Sequence, residues 1–162
     1  MRHAAAIRTV PIPLVRPMSE ESADPPRTGP IDETVLDRVA THLRGSTRFE
    51  RVDQQPGYAP NAVVADYDLA FFPGGVSRAS LRIRWFETDD FSIHYAEQYG
   101  SGDSWECRWD RHPNDHNARE HFHPPPDAPT PGTDETYSDD WRDVLATVLA
   151  RLDDRIDAFW TG

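Results

Sequence analysis

Lysine is absent from this 162-residue chain. All 17 basic residues are arginine, set against 28 acidic residues for a formal charge of −11. An acidic surface disfavours loose attachment to nucleic acid or to anionic membranes. Arginines grouped locally, as at Arg78, Arg82 and Arg84, can override that balance. Acidic excess suits work in high salt, where self-repulsion is screened, and points to a salt-adapted microbe. A GC-rich genome explains the missing lysine equally well. Cysteine is scarce. The single Cys107 excludes an internal disulfide and a thiolate zinc site. It alternates with Trp105 and Trp109 and reads as a small buried strand residue rather than a reactive thiol. No apolar run reaches the length of a membrane-spanning helix. The apolar stretch near the N-terminus is broken by Pro11, Pro13 and Pro17. That makes a poor signal peptide and places the protein in the cytoplasm.

Residues 1–30 hold six prolines and little apolar periodicity, so they read as a disordered or loosely packed tail, dispensable for folding. Met18 opens a polar stretch and offers a second start, with residues 1–17 as an upstream extension. Residues 31–162 read as a single α+β domain. A first helix is predicted over 31–44, with Ile31, Val35, Val39 and Leu43 as its apolar stripe, Asp32 and Glu33 in the first turn and Gly45 as its stop. Strands are predicted over 48–54, 61–72, 79–87, 91–98 and 104–110. In three of them alternation assigns the faces: Leu81, Ile83 and Trp85; Phe91, Ile93 and Tyr95; Trp105, Cys107 and Trp109. Short turns at Thr88-Asp89-Asp90 and at Gly100 to Asp103 join them as hairpins. A final helix is predicted over 139–160 with Ser138 as N-cap. Its face of Trp141, Val144, Leu145, Val148, Leu149, Leu152, Ile156 and Phe159 should cover the sheet. The expected fold is therefore an antiparallel β-meander of four to five strands, flanked by an N-terminal helix and a long C-terminal helix.

Four of the seven histidines, His112, His116, His121 and His123, fall within twelve residues. They open a stretch, 112–136, that holds six prolines and reads as one long loop. Imidazole serves as acid, base or metal ligand near neutral pH, and packing requires no such density of it. Arg108 and Asp110 flank Trp109, so a Trp109 turned inward puts both on the outer face with His94. Three uses fit these residues. In metal-free RNA cleavage, one histidine takes the 2′-hydroxyl proton, another protonates the leaving oxygen and an arginine holds the phosphate. In a metal site for zinc or a similar divalent ion, His121 and His123 share one side of an extended segment, and His116, His112 or Asp115 completes the set. In the third, the loop binds a protein partner or is merely solvated. The acidic groups Asp139, Asp140 and Asp143 of the final helix read as a solvated face.

One stretch carries a family likeness. His94-Tyr95, the turn at Gly100 to Asp103, Arg108-Trp109-Asp110, Pro113 and His121-Phe122-His123 together resemble the TumE family of small toxins from toxin–antitoxin pairs. That family pattern has a hydrophobic strand, a turn and an Arg-Tyr-Asp signature, then Pro-His-His and a final His-x-His. Arg108, Asp110, Pro113, His121 and His123 match it, with Trp109 in place of the tyrosine. Asn114 and Asp115 stand where the paired histidines belong, unless His112 and His116 take their place. The resemblance implies a cytoplasmic toxin encoded beside an antitoxin with a helix-turn-helix, acting as a ribonuclease on RNA. Its catalytic candidates are His112, His116, His121, His123, Arg108 and Asp110, with no cofactor. The alternative is a non-catalytic metal-binding or protein-interaction domain, with His116, His121 and His123 as ligands.

Overall fold

The structure, a computed structural model, describes residues 29–162. The predicted tail falls on residues 1–28, outside the described residues, except at its end: the Pro30 carbonyl accepts the Glu87 amide at 2.9 Å. Helix α1 spans Glu33–Arg44 and helix α2 spans Trp141–Thr161. Between them run β1 (Phe49–Gln55), β2 (Ala62–Tyr67), β3 (Val76–Trp85), β4 (Phe91–Tyr99), β5 (Ser104–Arg111), β6 (Glu120–His123) and β7 (Thr133–Asp134). The architecture is α+β, as the alternation implies. The sheet is antiparallel in every pairing and its spatial order is the chain order, β1 to β7.

The sheet has seven strands, not four to five. The two additional strands, β6 and β7, lie inside the stretch predicted as one loop. Their short lengths and polar residues give no apolar alternation to read. What makes them strands is a free edge: β6 pairs with the open amides and carbonyls of β5, and β7 with those of β6. The predicted strand over 61–72 also ends early. After Tyr67 the chain turns through a short 3₁₀ segment, Leu69–Phe71, capped by Asp68.

Both helices cover one face. Across that face, register aligns Val63, Ile83, Ile93, Trp109, Phe122 and Thr133 from strand to strand. Leu36, Val39, Ala40 and Leu43 of α1 and Val144, Leu145, Val148, Leu149, Leu152 and Ile156 of α2 join these strand residues in one buried core. The buried stripe of α1 is thus Leu36-Val39-Ala40-Leu43, with Val35 only partly covered. Spacings of three and four, rather than four alone, follow the helix's 3.6-residue turn. Two caps differ from the reading of the sequence. Asp32 caps α1, its carboxylate accepting the Val35 amide at 3.0 Å. Asp140, not Ser138, caps α2 by accepting the Arg142 amide at 2.9 Å. Ser138 stands two residues before that cap, accepting the Asp140 amide and donating to Asp143. No described helix is long and apolar enough to cross a membrane.

Candidate functional site

The site grows out of strand periodicity. Trp109 is 1% exposed among the core residues, so Arg108 and Asp110 must point to the opposite face. Antiparallel pairing then sets their neighbours. One cross-strand row on that outer face reads Arg82, His94, Arg108, His123. The next reads Arg84, Ser92, Asp110, His121, Asp134. Residues scattered over fifty positions of sequence become lateral neighbours.

Exposure changes along both rows, from open at β3 to buried at β6. Over β3 to β5 the face is open. Arg82 and Arg84 are exposed, and the His94 and Glu106 side chains, 35% exposed each, meet with Nε2 to Oε2 at 3.0 Å. Over β5 and β6 two loops close the face. Asn117 stitches them together: its side chain donates to the Gly132 carbonyl at 2.8 Å and accepts the Gly132 amide at 2.9 Å. Gly132 is required there, because a Cβ at this position would lie 2.4 Å from the Phe122 carbonyl oxygen. Beneath the loops Asp110, His121 and His123 are 1–2% exposed.

A polar cluster is built around Asp110. Arg108 Nε donates to Asp110 Oδ2 at 2.6 Å. Around the same oxygen lie three imidazole Nε2 atoms: His123 at 3.2 Å, His112 at 3.5 Å and His121 at 3.7 Å. The rings meet edge to face, with centroids 4.9 Å apart for His112 and His121 and 5.0 Å for His121 and His123. Each ring's other nitrogen points at a backbone carbonyl: Pro113 for His112 at 3.0 Å, Ala118 for His121 at 2.9 Å and Pro129 for His123 at 2.7 Å. Burial pushes the Asp110 carboxyl up, but His112 and the Arg108 charge outweigh it and hold the group at about 2. Asp110 in turn raises the His112 imidazole, whereas burial lowers that of His121.

Of the residues singled out in the sequence, the fold brings together Arg108, Asp110, His112, His121 and His123. His94 joins them in the open row. His116 does not take part: it is exposed, held in its loop by its own amide bonding the Asn114 side chain at 2.9 Å. Asp115 is likewise exposed. Cys107 is a buried strand residue, its thiol pushed up to about 12 by burial. Reading by sequence missed Glu106. The signal was present, since Glu106 alternates with Arg108 and Asp110 on the outward positions of β5.

A seven-stranded antiparallel meander with two helices on one face and an arginine–histidine–carboxylate surface on the other defines a small α+β protein built to present polar chemistry from a sheet. The family model described as Toxin TumE matches residues 33–156, and the chain belongs to this family. Membership makes it a toxin of the toxin–antitoxin kind. The match runs from α1 well into α2 and therefore spans the whole sheet. No curated protein and no solved structure matches the chain.

Proposed function

We propose that this toxin is a ribonuclease that binds RNA on the open part of the outer face. One observation carries the reading: Arg82, His94 and Arg108 stand side by side on three neighbouring strands, and Glu106 pairs with His94 at 3.0 Å. Two arginines flanking an accessible imidazole suit a phosphodiester. Guanidinium groups match phosphate oxygens in shape and charge and stabilise the charge that builds up at phosphorus. In a neutral imidazole one nitrogen carries the proton and the other accepts, and Glu106 orients the ring. His94 then takes the 2′-hydroxyl proton, the 2′-oxygen attacks phosphorus and the 5′-oxygen leaves, protonated by water. The products are a 2′,3′-cyclic phosphate and a 5′-hydroxyl.

The loop histidines have a different place in this scheme. His121 and His123 turn their Nε2 atoms towards Asp110 beneath the loops. Burial favours them as the framework that holds Asp110, which in turn holds Arg108 through the 2.6 Å bond. The partner of such a toxin is an antitoxin, for which we propose a helix-turn-helix protein, with both working in the cytoplasm.

The purified protein incubated with RNA should produce fragments ending in 2′,3′-cyclic phosphate. Loss of a general base commonly slows a reaction about 10²–10⁴-fold, so His94→Ala should abolish detectable cleavage and relieve growth arrest on expression. His94 is only partly buried and makes one side-chain contact, so the variant should keep its fold. Equal cleavage by the wild type and a folded His94→Ala variant would refute the assignment.

A further inference from the structure

We propose that Asp110, His121 and His123 form a buried binding site for a divalent transition metal such as zinc. The proposal goes beyond the ribonuclease reading and does not depend on it.

Three independent features of the cluster point the same way. The first is spacing. Tetrahedral zinc holds its nitrogen and oxygen ligands at about 2.0–2.1 Å, which sets ligand atoms about 3.3 Å apart. The three Nε2 atoms lie 3.2, 3.5 and 3.7 Å from Asp110 Oδ2. Asp110, His121 and His123 each offer a ligand atom, and these atoms all lie within 4.8 Å of one another. His112 stands beside this group on the less buried side, its Nε2 3.5 Å from Asp110 Oδ2 and its side chain 24% exposed.

The second feature is the tautomer. Each Nδ1 faces a backbone carbonyl at 2.7–3.0 Å. A carbonyl only accepts, so each Nδ1 carries the hydrogen. In the neutral ring the proton on Nδ1 leaves a bare lone pair on Nε2. At His121 and His123 two such lone pairs face a carboxylate oxygen and bring no proton to it. Imidazoles that ligate a metal through one nitrogen and donate through the other to a carbonyl or carboxylate show this same arrangement.

The third feature is an unmet need. His123 Nε2 is buried without a hydrogen-bond partner among the described residues. Buried polar atoms seldom stay unpaired, because each carries its full desolvation cost. A cation at the meeting point of the Nε2 atoms gives His123 its missing partner. Arg108 occupies one lone pair of Oδ2 and leaves the other for the ion.

The donor set also limits the ion. Two imidazoles and one carboxylate suit zinc, cobalt or nickel, whereas calcium and magnesium prefer oxygen ligands alone. With Asp110 on β5 and His121 and His123 on β6, such an ion would tie the two strands together from residues that are 1–2% exposed.

The full chain, expressed with zinc in the medium and dialysed, should hold about one zinc per chain by elemental analysis. Metal-stripped protein should take up Co²⁺ and develop the visible absorption of a tetrahedral site. His121→Ala and His123→Ala should each lose the ion, whereas His116→Ala should keep it. Circular dichroism reports whether each variant is folded. If the ligand variants fail to fold, the Co²⁺ titration of the wild type decides alone. Failure of folded wild type to bind either metal at micromolar concentration overturns the proposal, and a proton shared within the cluster then takes the ion's place. Metal retention by folded His123→Ala, or its loss from His116→Ala, overturns it too. RNA cleavage enters none of these measurements, so the two proposals fail separately.

Discussion

Arg155→Ala should be among the most damaging single substitutions outside the apolar core, because of what it leaves behind. Glu97 lies on the helix-covered face of β4 and is 0% exposed. Its carboxylate accepts from the Tyr95 hydroxyl at 2.8 Å, the Tyr99 hydroxyl at 2.7 Å, and Arg155 Nε and Nη2 at 3.1 and 2.9 Å. Arg155 comes from α2, and its guanidinium also packs 3.8 Å from the Trp105 ring centroid and 4.5 Å from that of Phe159. Removing it takes away the only cation on Glu97 among these contacts, while the buried charge stays. Breaking a buried pair from one side costs about 3–5 kcal/mol. The two tyrosine hydroxyls remain and favour the lower half of that range, whereas the lost stacking adds about 0.5–2 kcal/mol. For a chain of this size about 1 kcal/mol moves the melting temperature by roughly 2–4 °C, so a drop of about 7–24 °C is expected. Urea unfolding followed by circular dichroism gives the free energy directly. The double variant Glu97→Leu with Arg155→Met removes the stranded charge and should lose less than the sum of its single changes, by about 1–3 kcal/mol of coupling. A loss below about 1 kcal/mol for Arg155→Ala, or strict additivity in the double variant, would refute the argument.

The other predictions concern the loops and the centre of the sheet. Gly132→Ala drives a methyl group to 2.4 Å from the Phe122 carbonyl and 3.2 Å from His123 Nδ1; relief requires backbone movement and should cost about 1–3 kcal/mol, read as a lower melting temperature, and an unchanged melt would show that the loop is free to shift. Leu81→Ala, at a fully buried position of β3 aligned with Ala65 and Tyr95, should cost about 2–5 kcal/mol, whereas the adjacent exposed Arg82→Ala should stay within about 0.5 kcal/mol; comparable losses at both sites in urea titrations would contradict the assignment of faces.

The strands β3 to β5 and the faces they present were legible without coordinates, and so was the placement of His94, Arg108 and Asp110 on the face away from the helices. The reason is local. A strand alternates its side chains with a period of two, so Trp105-Cys107-Trp109 inward forces Arg108 and Asp110 outward whatever the rest of the chain does. The two helices were legible for the same kind of reason, although a period of 3.6 left the exact stripe of α1 to be resolved by packing. Three things were decided only in the folded chain. Strand β6 exists because the edge of β5 takes a partner, and β7 because β6 then offers an edge of its own, a pairing that the short segments Glu120–His123 and Thr133–Asp134 do not announce. His112 rather than His116 joins Asp110 because the loop after β5 turns back through Asn114, and spacing along a loop does not say which of two imidazoles ends up inside. Glu97 is buried because Arg155 reaches it from α2, and a carboxylate at an inward position carries no mark of a partner 58 residues away. Periodicity belongs to the backbone and can be read one strand at a time, whereas which polar groups meet depends on contacts between segments far apart in the chain.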